Sequence, residues 1–294
     1  MQTAQSKAAI LVEALPYIRA FAGKTIVIKY GGNAMTGDDI TAQVMADIAL
    51  MKYVGIRPVI VHGGGPDITA QLEKVGKQSE FIGGLRITDA ETAAIAEMVL
   101  VGKINSAIVD GLNRHGVRAV GLSGKDAHCI RARKKSGTLH ENGQTRSVDL
   151  GYVGSIAHID TTLIEDLLAR DYIPVVAPIG CGEAGETYNI NADTVAAELA
   201  GALAAEKLLL LTNVEGIYRD INDPASFISV LRADEARAWI ADGTISGGMI
   251  PKVEACLSAL AHGAHKAHII DGRLAHAIIL ELYTSAGIGT QLEN

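Results

Sequence analysis

Residues 24–35 read KTIVIKYGGNAM, and the fold assignment starts from them. Thr25, Ile26, Val27 and Ile28 form an unbroken run rich in β-branched residues, the pattern of a parallel strand covered on both faces. Lys29 ends the strand-forming run, and Gly31 and Gly32 turn the chain. A lone lysine at a strand end is most often a cation reaching back to water. Residues 57–65, RPVIVHGGG, repeat the arrangement, with glycines directly after a β-branched run and Pro66 opening a helical pattern. Two glycine turns at the carboxyl ends of two strands mark where an open α/β sheet binds ligands. Backbone N–H groups and helix N-termini face anions there, so the pair reads as a phosphate or carboxylate cradle. Neither turn has the spacing GxxxxGK[ST] or GxGxxG, which argues against a P-loop NTPase and a dinucleotide dehydrogenase.

The chain has 294 residues, 48% of them hydrophobic and 20% charged, enough for one large α/β domain or two lobes. A formal net charge of −7 argues against a nucleic-acid surface. The basic cluster Arg131, Arg133, Lys134 and Lys135, beside Ser136 and Gly137, reads as a solvated hairpin tip. Cys129, Cys181 and Cys256 lack CxxC spacing, which suits a reducing compartment without structural zinc. The apolar patch Ala8–Val12 is interrupted by Glu13 with no small-residue cleavage site after it, so no signal peptide is expected. No run of 18 apolar residues occurs, so no membrane span is expected either.

Ala8, Leu11, Leu15 and Ile18 form the seam of an amphipathic helix that Pro16 should kink. Helical patterns follow over 38–53, 66–75 and 89–113, the last capped by Asp89 or Thr88. Arg86 stands alone in the glycine-bearing stretch FIGGLRIT, suited to a bidentate grip on a carboxylate. Strands are predicted over 117–122, 128–133, 144–149 and 152–158, joined as antiparallel hairpins at one edge of the sheet. A buried strand over 172–179 enters a glycine-rich loop and then a small-residue helix over 188–205, with Asn191 or Asp193 near its N-cap. Residues 206–212, EKLLLLT, are a fourth buried strand that opens a second lobe, and 213–218 form a turn suited to a base or ribose. Helices over 234–240 and 251–262 flank the glycine loop of ISGGMIPK. Lys252 falls in the first turn of its helix, where the dipole disfavours a cation, so an anion is expected nearby. His262, His265 and His268 span a helix end, a turn and a strand start, which argues against one metal sphere. A last strand is read at 266–271 and a last helix at 275–283.

Taken in order, VIKYGGNAM, VIVHGGGP, GGLRITD, YNINADTVAAELA, LLLLTNVEGIY and GGMIPKVEACLSAL resemble the amino acid kinase family from Lys24 to the end of the chain. Within it they resemble the members acting on N-acetyl-L-glutamate in arginine synthesis. The resemblance implies an α/β fold, a three-layer αβα sandwich around a mostly parallel sheet. It implies a kinked N-terminal helix in 1–22, an acyl-amino-acid-binding lobe over 23–205 and an ATP-binding lobe over 206–294. Lys29 and Lys252 correspond to catalytic, phosphate-contacting lysines, with Asp193 organising them. Gly64, Gly65, Arg86 and Asn189 correspond to substrate-binding positions, and Gly31, Gly32, Thr212, Asn213 and Gly248 to nucleotide contacts. Asn213 stands where many relatives carry Asp, which leaves that contact open.

The implied reaction moves the γ-phosphoryl group of ATP to a carboxylate. A carboxylate is ionised at pH 7 and attacks directly, so no activated Ser, Cys or His is needed. Lysines and backbone N–H groups neutralise the repulsion between the two anions. Mg2+ should ride on phosphate oxygens and water, with no protein metal site. Family members inhibited by L-arginine carry an N-terminal helix like this one. By resemblance the effector positions are Tyr17, Lys207, His268, Glu281 and Gly287, in a cytoplasmic homohexamer built as a trimer of dimers. Aspartate and glutamate kinases are the alternatives within the family, and the length leaves no room for their added domains. A non-catalytic amino-acid-sensing assembly is a further alternative, which the presence of both lysines and Asp193 disfavours. No residue pattern supports a docked signalling protein.

Overall fold

The computed structural model describes residues 3–32, 38–141, 144–284 and 287–294. The expected turn residues Asn33, Ala34 and Met35 lie outside them. Two short helices, α1 (Ala4–Glu13) and α2 (Leu15–Phe21), replace one continuous N-terminal helix. The break falls at Ala14, with Pro16 in the first turn of α2, where its missing N–H costs least. Then β1 (Thr25–Tyr30) leads to α3 (Asp38–Tyr53), and β2 (Arg57–His62) leads to α4 (Gly65–Lys74). A small hairpin, β3 (Phe81–Ile82) and β4 (Leu85–Arg86), precedes a long helix. That helix consists of α5 (Ala90–Glu97), a π-helical stretch at Met98–Asn105 and α6 (Ser106–Arg114), and Asp89 caps it by accepting from the Thr92 N–H. Its span 90–114 is long and apolar enough to cross a membrane by composition, yet it packs as a core helix with half of that surface buried in the fold.

β5 (Ala119–Ser123) is followed by β6 (Ile130–Glu141) and β7 (Gln144–Ile159), then α7 (Thr162–Ala169), β8 (Ile173–Ala177), β9 (Ile179–Cys181), β10 (Thr187–Asn189) and α8 (Ala192–Ala202). The remainder is β11 (Lys207–Thr212), the hairpin β12 (Ile217–Tyr218) and β13 (Phe227–Ile228), β14 (Val230–Arg232), α9 (Ala233–Ala241), α10 (Ile250–Ala261), β15 (Lys266–Asp271), α11 (Ala277–Tyr283) and β16 (Thr290–Glu293).

The main sheet has eight strands in the order β14-β16-β15-β11-β1-β2-β8-β5. It is parallel except that β16 runs antiparallel to β15 and carries β14 with it. β1 lies in the middle, paired with β11 on one side and β2 on the other. Successive side chains of a strand point to opposite faces, and both faces carry helices, hence the near-continuous apolar runs. Val27, Val61, Leu208 and Leu210 pack under α8 and α10, while Ile26, Ile28, Leu209 and Leu211 pack under α3, α11 and the long helix. The expected αβα sandwich is therefore the architecture.

Three local expectations change. The strands over 128–158 do not extend the main sheet. They form two long strands that join β9 and β10 in a separate small closed sheet. Register shifts between Arg131 and Ala132 and between Lys134 and Ser136 curl β6, which lets this sheet close around Ile130, Ala132 and Tyr188. The cluster Arg131, Arg133, Lys134 and Lys135 consequently sits along β6 rather than at the hairpin tip. Finally, the helix read from Tyr188 starts at Ala192, because Tyr188 and Asn189 belong to β10 and Asn191 caps the helix by accepting from the Thr194 N–H.

Leu209 is fully buried at the centre of the sheet, beside Ile28 of β1. Leu209→Ala should lower unfolding free energy by about 2–5 kcal/mol, from lost transfer energy plus the cavity left behind. Urea denaturation measures this, and a change under about 1 kcal/mol would show that the site collapses around the smaller residue.

Candidate active site

Parallel order places the carboxyl ends of β1, β2, β8, β11 and β15 along one edge of the sheet, and α8 and α10 start beside it. Lys29, next to last in β1, reaches Asp193 Oδ1 at 2.9 Å, outside hydrogen-bond alignment. Lys252 Nζ, from the first turn of α10, lies 3.6 Å from Asp193 Oδ2. Asp193 is buried in the first turn of α8, one residue after the start that Asn191 caps. Burial acts to raise its pKa, but Lys29 and Lys252 outweigh that and hold the carboxyl below the usual range. One ionised carboxylate thus gathers two ammonium groups from a strand end and a helix start. Lys252 is the misplaced cation of the sequence reading, and the anion beside it is Asp193.

A cavity of ≈240 Å³ opens next to Lys29. Gly32, Gly64, Gly65, Arg86 and Asn189 line it together, so the structure unites five further expected site residues with the lysine. The two glycine turns touch backbone to backbone. The Gly63 N–H donates to the Tyr30 carbonyl at 2.9 Å, and a Cβ on Gly31 would come within 2.5 Å of the Gly63 nitrogen. Arg86, at the end of β4, is buried and donates to the Gly65 carbonyl and to Thr69 Oγ1, each at 2.9 Å, and also to Ser79 Oγ. Its guanidinium stacks on Phe81 with 4.6 Å to the ring centre. No carboxylate pairs with it among the described residues, and burial lowers its pKa. A buried cation without a charge partner, opening on a cavity, is prepared for an anionic ligand.

Thr212, Asn213 and Gly248 lie apart from this cavity. Thr212 ends β11 and closes a turn, its hydroxyl accepting from the Val214 N–H at 3.1 Å. Asn213 and Gly248 are exposed, the latter in the 3-10 turn before α10. Beside Thr212 across the sheet, Asp271 ends β15 and is held by two side-chain hydrogen bonds from Arg273. Asp271 was not singled out from the sequence, although its position at a strand end matches that of Lys29. Val153, which lines the Lys29 cavity, was missed because its neighbourhood depends on the small closed sheet, and Asn191, read from the sequence only as a cap candidate, lines the cavity as well.

Residues 24–271 match the family model described as the amino acid kinase family. The chain belongs to the amino acid kinase family. A curated relative from Pelotomaculum thermopropionicum, named acetylglutamate kinase, is 56% identical over 294 residues, covering 100% of both chains. Among solved structures, the N-acetylglutamate synthase of Neisseria gonorrhoeae with coenzyme A and N-acetyl-glutamate aligns at a TM-score of 0.83 and 28% identity. That alignment covers 98% of this chain and 63% of the synthase chain. The same synthase with coenzyme A and L-arginine aligns at 0.79 and 26% identity, over 97% of this chain and 65% of that one.

This amino acid kinase has a second polar cavity, of ≈370 Å³, on which Tyr17, Lys207, His268, Glu281 and Gly287 all converge. Glu281 Oε1 accepts from His268 Nδ1 at 2.6 Å and lies 3.5 Å from Lys207 Nζ, while its Oε2 accepts from the Ile288 N–H at 2.9 Å. Burial lowers the pKa of His268 and of Lys207. Burial opposes ionisation of Glu281 as well, but the donors from His268 and Ile288 and the Lys207 charge keep its pKa below the ordinary carboxyl value. Lys207 also faces the Phe21 ring of α2, 5.2 Å from its centre. The cavity therefore holds an ionised carboxylate beside a lysine at its base and is closed on one side by the N-terminal segment.

Lys29→Ala and Lys252→Ala should each lower kcat for phosphoryl transfer by about 10²–10³-fold, the scale for losing one preorganised electrostatic group. Circular dichroism should still report a folded chain. A folded variant with near-normal kcat would exclude that lysine from the chemistry.

Proposed function

We infer that the protein is an acetylglutamate kinase, transferring the γ-phosphoryl group of ATP to the γ-carboxylate of N-acetyl-L-glutamate in arginine biosynthesis. The observation that carries this is Asp193 holding Lys29 and Lys252 at the rim of a glycine-lined cavity that also contains the unpaired Arg86. Full-length identity to curated acetylglutamate kinases supports the choice of acceptor. Arg86 and the N–H groups of the Gly64–Gly65 turn hold the acyl amino acid by its unreactive carboxylate, with Asn189 beside them. The γ-carboxylate then attacks the γ-phosphorus in line. Lys29 neutralises the equatorial oxygens of the transferring group, and Lys252 stabilises the β-phosphate as it gains charge. Asp193 touches both lysines and fixes their positions through the reaction. Gly31, Gly32, Thr212, Asn213 and Gly248 are assigned to the nucleotide. Mg2+ enters with ATP, on phosphate oxygens and water. The division of labour is a substrate half over 23–205 and a nucleotide half over 206–294.

An ADP-release assay with N-acetylglutamate, glutamate, aspartate and UMP tests the acceptor. Only N-acetylglutamate should support turnover. Arg86→Lys should raise its KM more than it lowers kcat, because a point charge replaces the bidentate fork. Turnover with another acceptor alone would overturn the assignment, and a raised KM for ATP with unchanged KM for the acceptor would overturn the role of Arg86.

The second cavity is assigned to L-arginine as a feedback inhibitor, with Glu281 accepting its guanidinium bidentately. Its polar lining and the L-arginine complex of the structurally similar synthase support this. Ile10, Leu11, Val12 and Leu15 of α1 and α2 are exposed, from 50% to 70%, apolar surface of which pairing with the same helices of a second copy would bury a part. Such pairing would join dimers into a cytoplasmic homohexamer. Deleting residues 1–22 should leave an active dimer without cooperative arginine inhibition. Light scattering and arginine titration read this, and an unchanged hexamer with sigmoidal inhibition would remove the helix from the coupling.

A further inference from the structure

His62, the last residue of β2, is fully buried one position before the substrate-side glycine turn. Its Nδ1 lies 2.9 Å from the Gly63 carbonyl, and its Nε2 lies 3.1 Å from Asn105 Nδ2. Asn105 is itself buried, and the same Nδ2 donates to the Val175 carbonyl of β8 at 2.9 Å. A carbonyl only accepts, so this atom of Asn105 is the amide nitrogen, and its second hydrogen points at His62 Nε2. His62 Nε2 is therefore the acceptor and Nδ1 carries the proton that goes to Gly63. Burial lowers the imidazole pKa to about 4, so the ring is neutral at pH 7.

The π-helical winding of Met98–Asn105 makes this contact possible. In an α-helix of 3.6 residues per turn, a residue five positions on lies roughly 140° round the axis. Bonding of the i→i+5 kind widens the turn and brings that residue back towards the face of the first. Leu100, Ile104 and Asn105 thus share one face. A Cβ on Gly64 would meet Ile104 Cδ1 at 2.3 Å and Leu100 Cδ2 at 2.7 Å, so the helix packs directly on the glycine turn. Gly121 of β5 leaves the space that the Asn105 amide fills, since a Cβ there would come within 1.9 Å of Oδ1.

In a trans peptide unit the C=O and the following N–H point in opposite directions. With the Gly63 carbonyl drawn to His62, the Gly64 N–H is turned the other way, and Gly63, Gly64 and Gly65 all line the cavity beside Lys29. That N–H has no acceptor among the described residues. We propose that His62 and Asn105 are positioning residues for phosphoryl transfer, setting the Gly63–Gly64 peptide so that its N–H donates to the unreactive carboxylate of the acceptor bound in that cavity. This rests on the acceptor-site reading of that cavity.

The test separates donor from shape. An Asn amide nitrogen stands as far along the side chain as His Nδ1, whereas a Gln nitrogen overshoots it. His62→Gln should lower kcat with N-acetylglutamate by about 10²-fold, the scale of misplacing one oriented group. His62→Asn should stay within about tenfold of wild type, and KM for ATP should change little in either. Equal losses in both folded variants, or no loss in His62→Gln, would overturn the proposal. Nitrogen NMR of the wild-type chain labelled at histidine adds a readout independent of activity. It should show the His62 imidazole, assigned by the signal lost in His62→Gln, neutral and protonated at Nδ1 from pH 5.5 to 8. A charged ring or an Nε2–H tautomer at His62 would overturn the proposal even if the kinase reading stands, while absent turnover with this tautomer present would instead overturn the kinase reading and with it the catalytic role of the pair.

Discussion

A buried carboxylate held between two ammonium groups is the interaction on which the active end of this molecule depends. Asp193 tolerates its loss of water only because Lys29 and Lys252 lie at 2.9 and 3.6 Å, and neither lysine would stay at a glycine-lined rim without it. The arrangement joins three elements. β1 supplies one cation from the middle of the sheet, α10 supplies another from its first turn, and α8 supplies the acid. The positive end of α8 favours Asp193 in its first turn, and Asn191 sets where that turn begins. In the proposed reaction two anions meet, and a triad fixed in advance would supply the positive charge without reorganisation.

The same device recurs in the second cavity. Glu281 is buried and ionised, and it gathers Lys207 and His268 from the amino-terminal part of β11 and the middle of β15. The two sites use opposite ends of β11, whose pairing with β1 carries the main sheet unbroken past residue 205. The difference lies in what the acid faces. Asp193 has both oxygens committed to lysines of the chain, whereas Glu281 stands at the base of a cavity that α2 closes with Tyr17 and Phe21. The cavity is lined by both the N-terminal segment and α11, and α11 packs on α3, the helix that follows the first glycine turn.

The glycine turns illustrate how backbone polarity is directed by buried groups. His62 is as buried as any aliphatic residue in β2, and its two hydrogen bonds are both satisfied inside the protein. The π-helical stretch, the close packing of Ile104 on Gly64 and the space left by Gly121 together accompany a polar side chain that reaches across the helix layer to a strand end.

The sequence by itself determined the buried parallel strands, the two glycine turns, a cap at Asn191 or Asp193, the break near Pro16 and the anomalous charge of Lys252. Each of these follows from residues close in the chain, through β-branched runs, capping chemistry and the helix dipole. Its motif order also carried the family and with it the list of site residues. What only the tertiary structure decided is which distant residues meet. Strand order put Asp193 between Lys29 and Lys252, and the layers closed a cavity from residues as far apart as Tyr17 and Gly287. The curling of β6 and β7 into their own sheet and the π winding that brings Asn105 to His62 were equally hidden. The reason is that periodicity reports which face of an element is buried, while the identity of its partner is fixed by pairing and packing between segments that carry no local signal of each other.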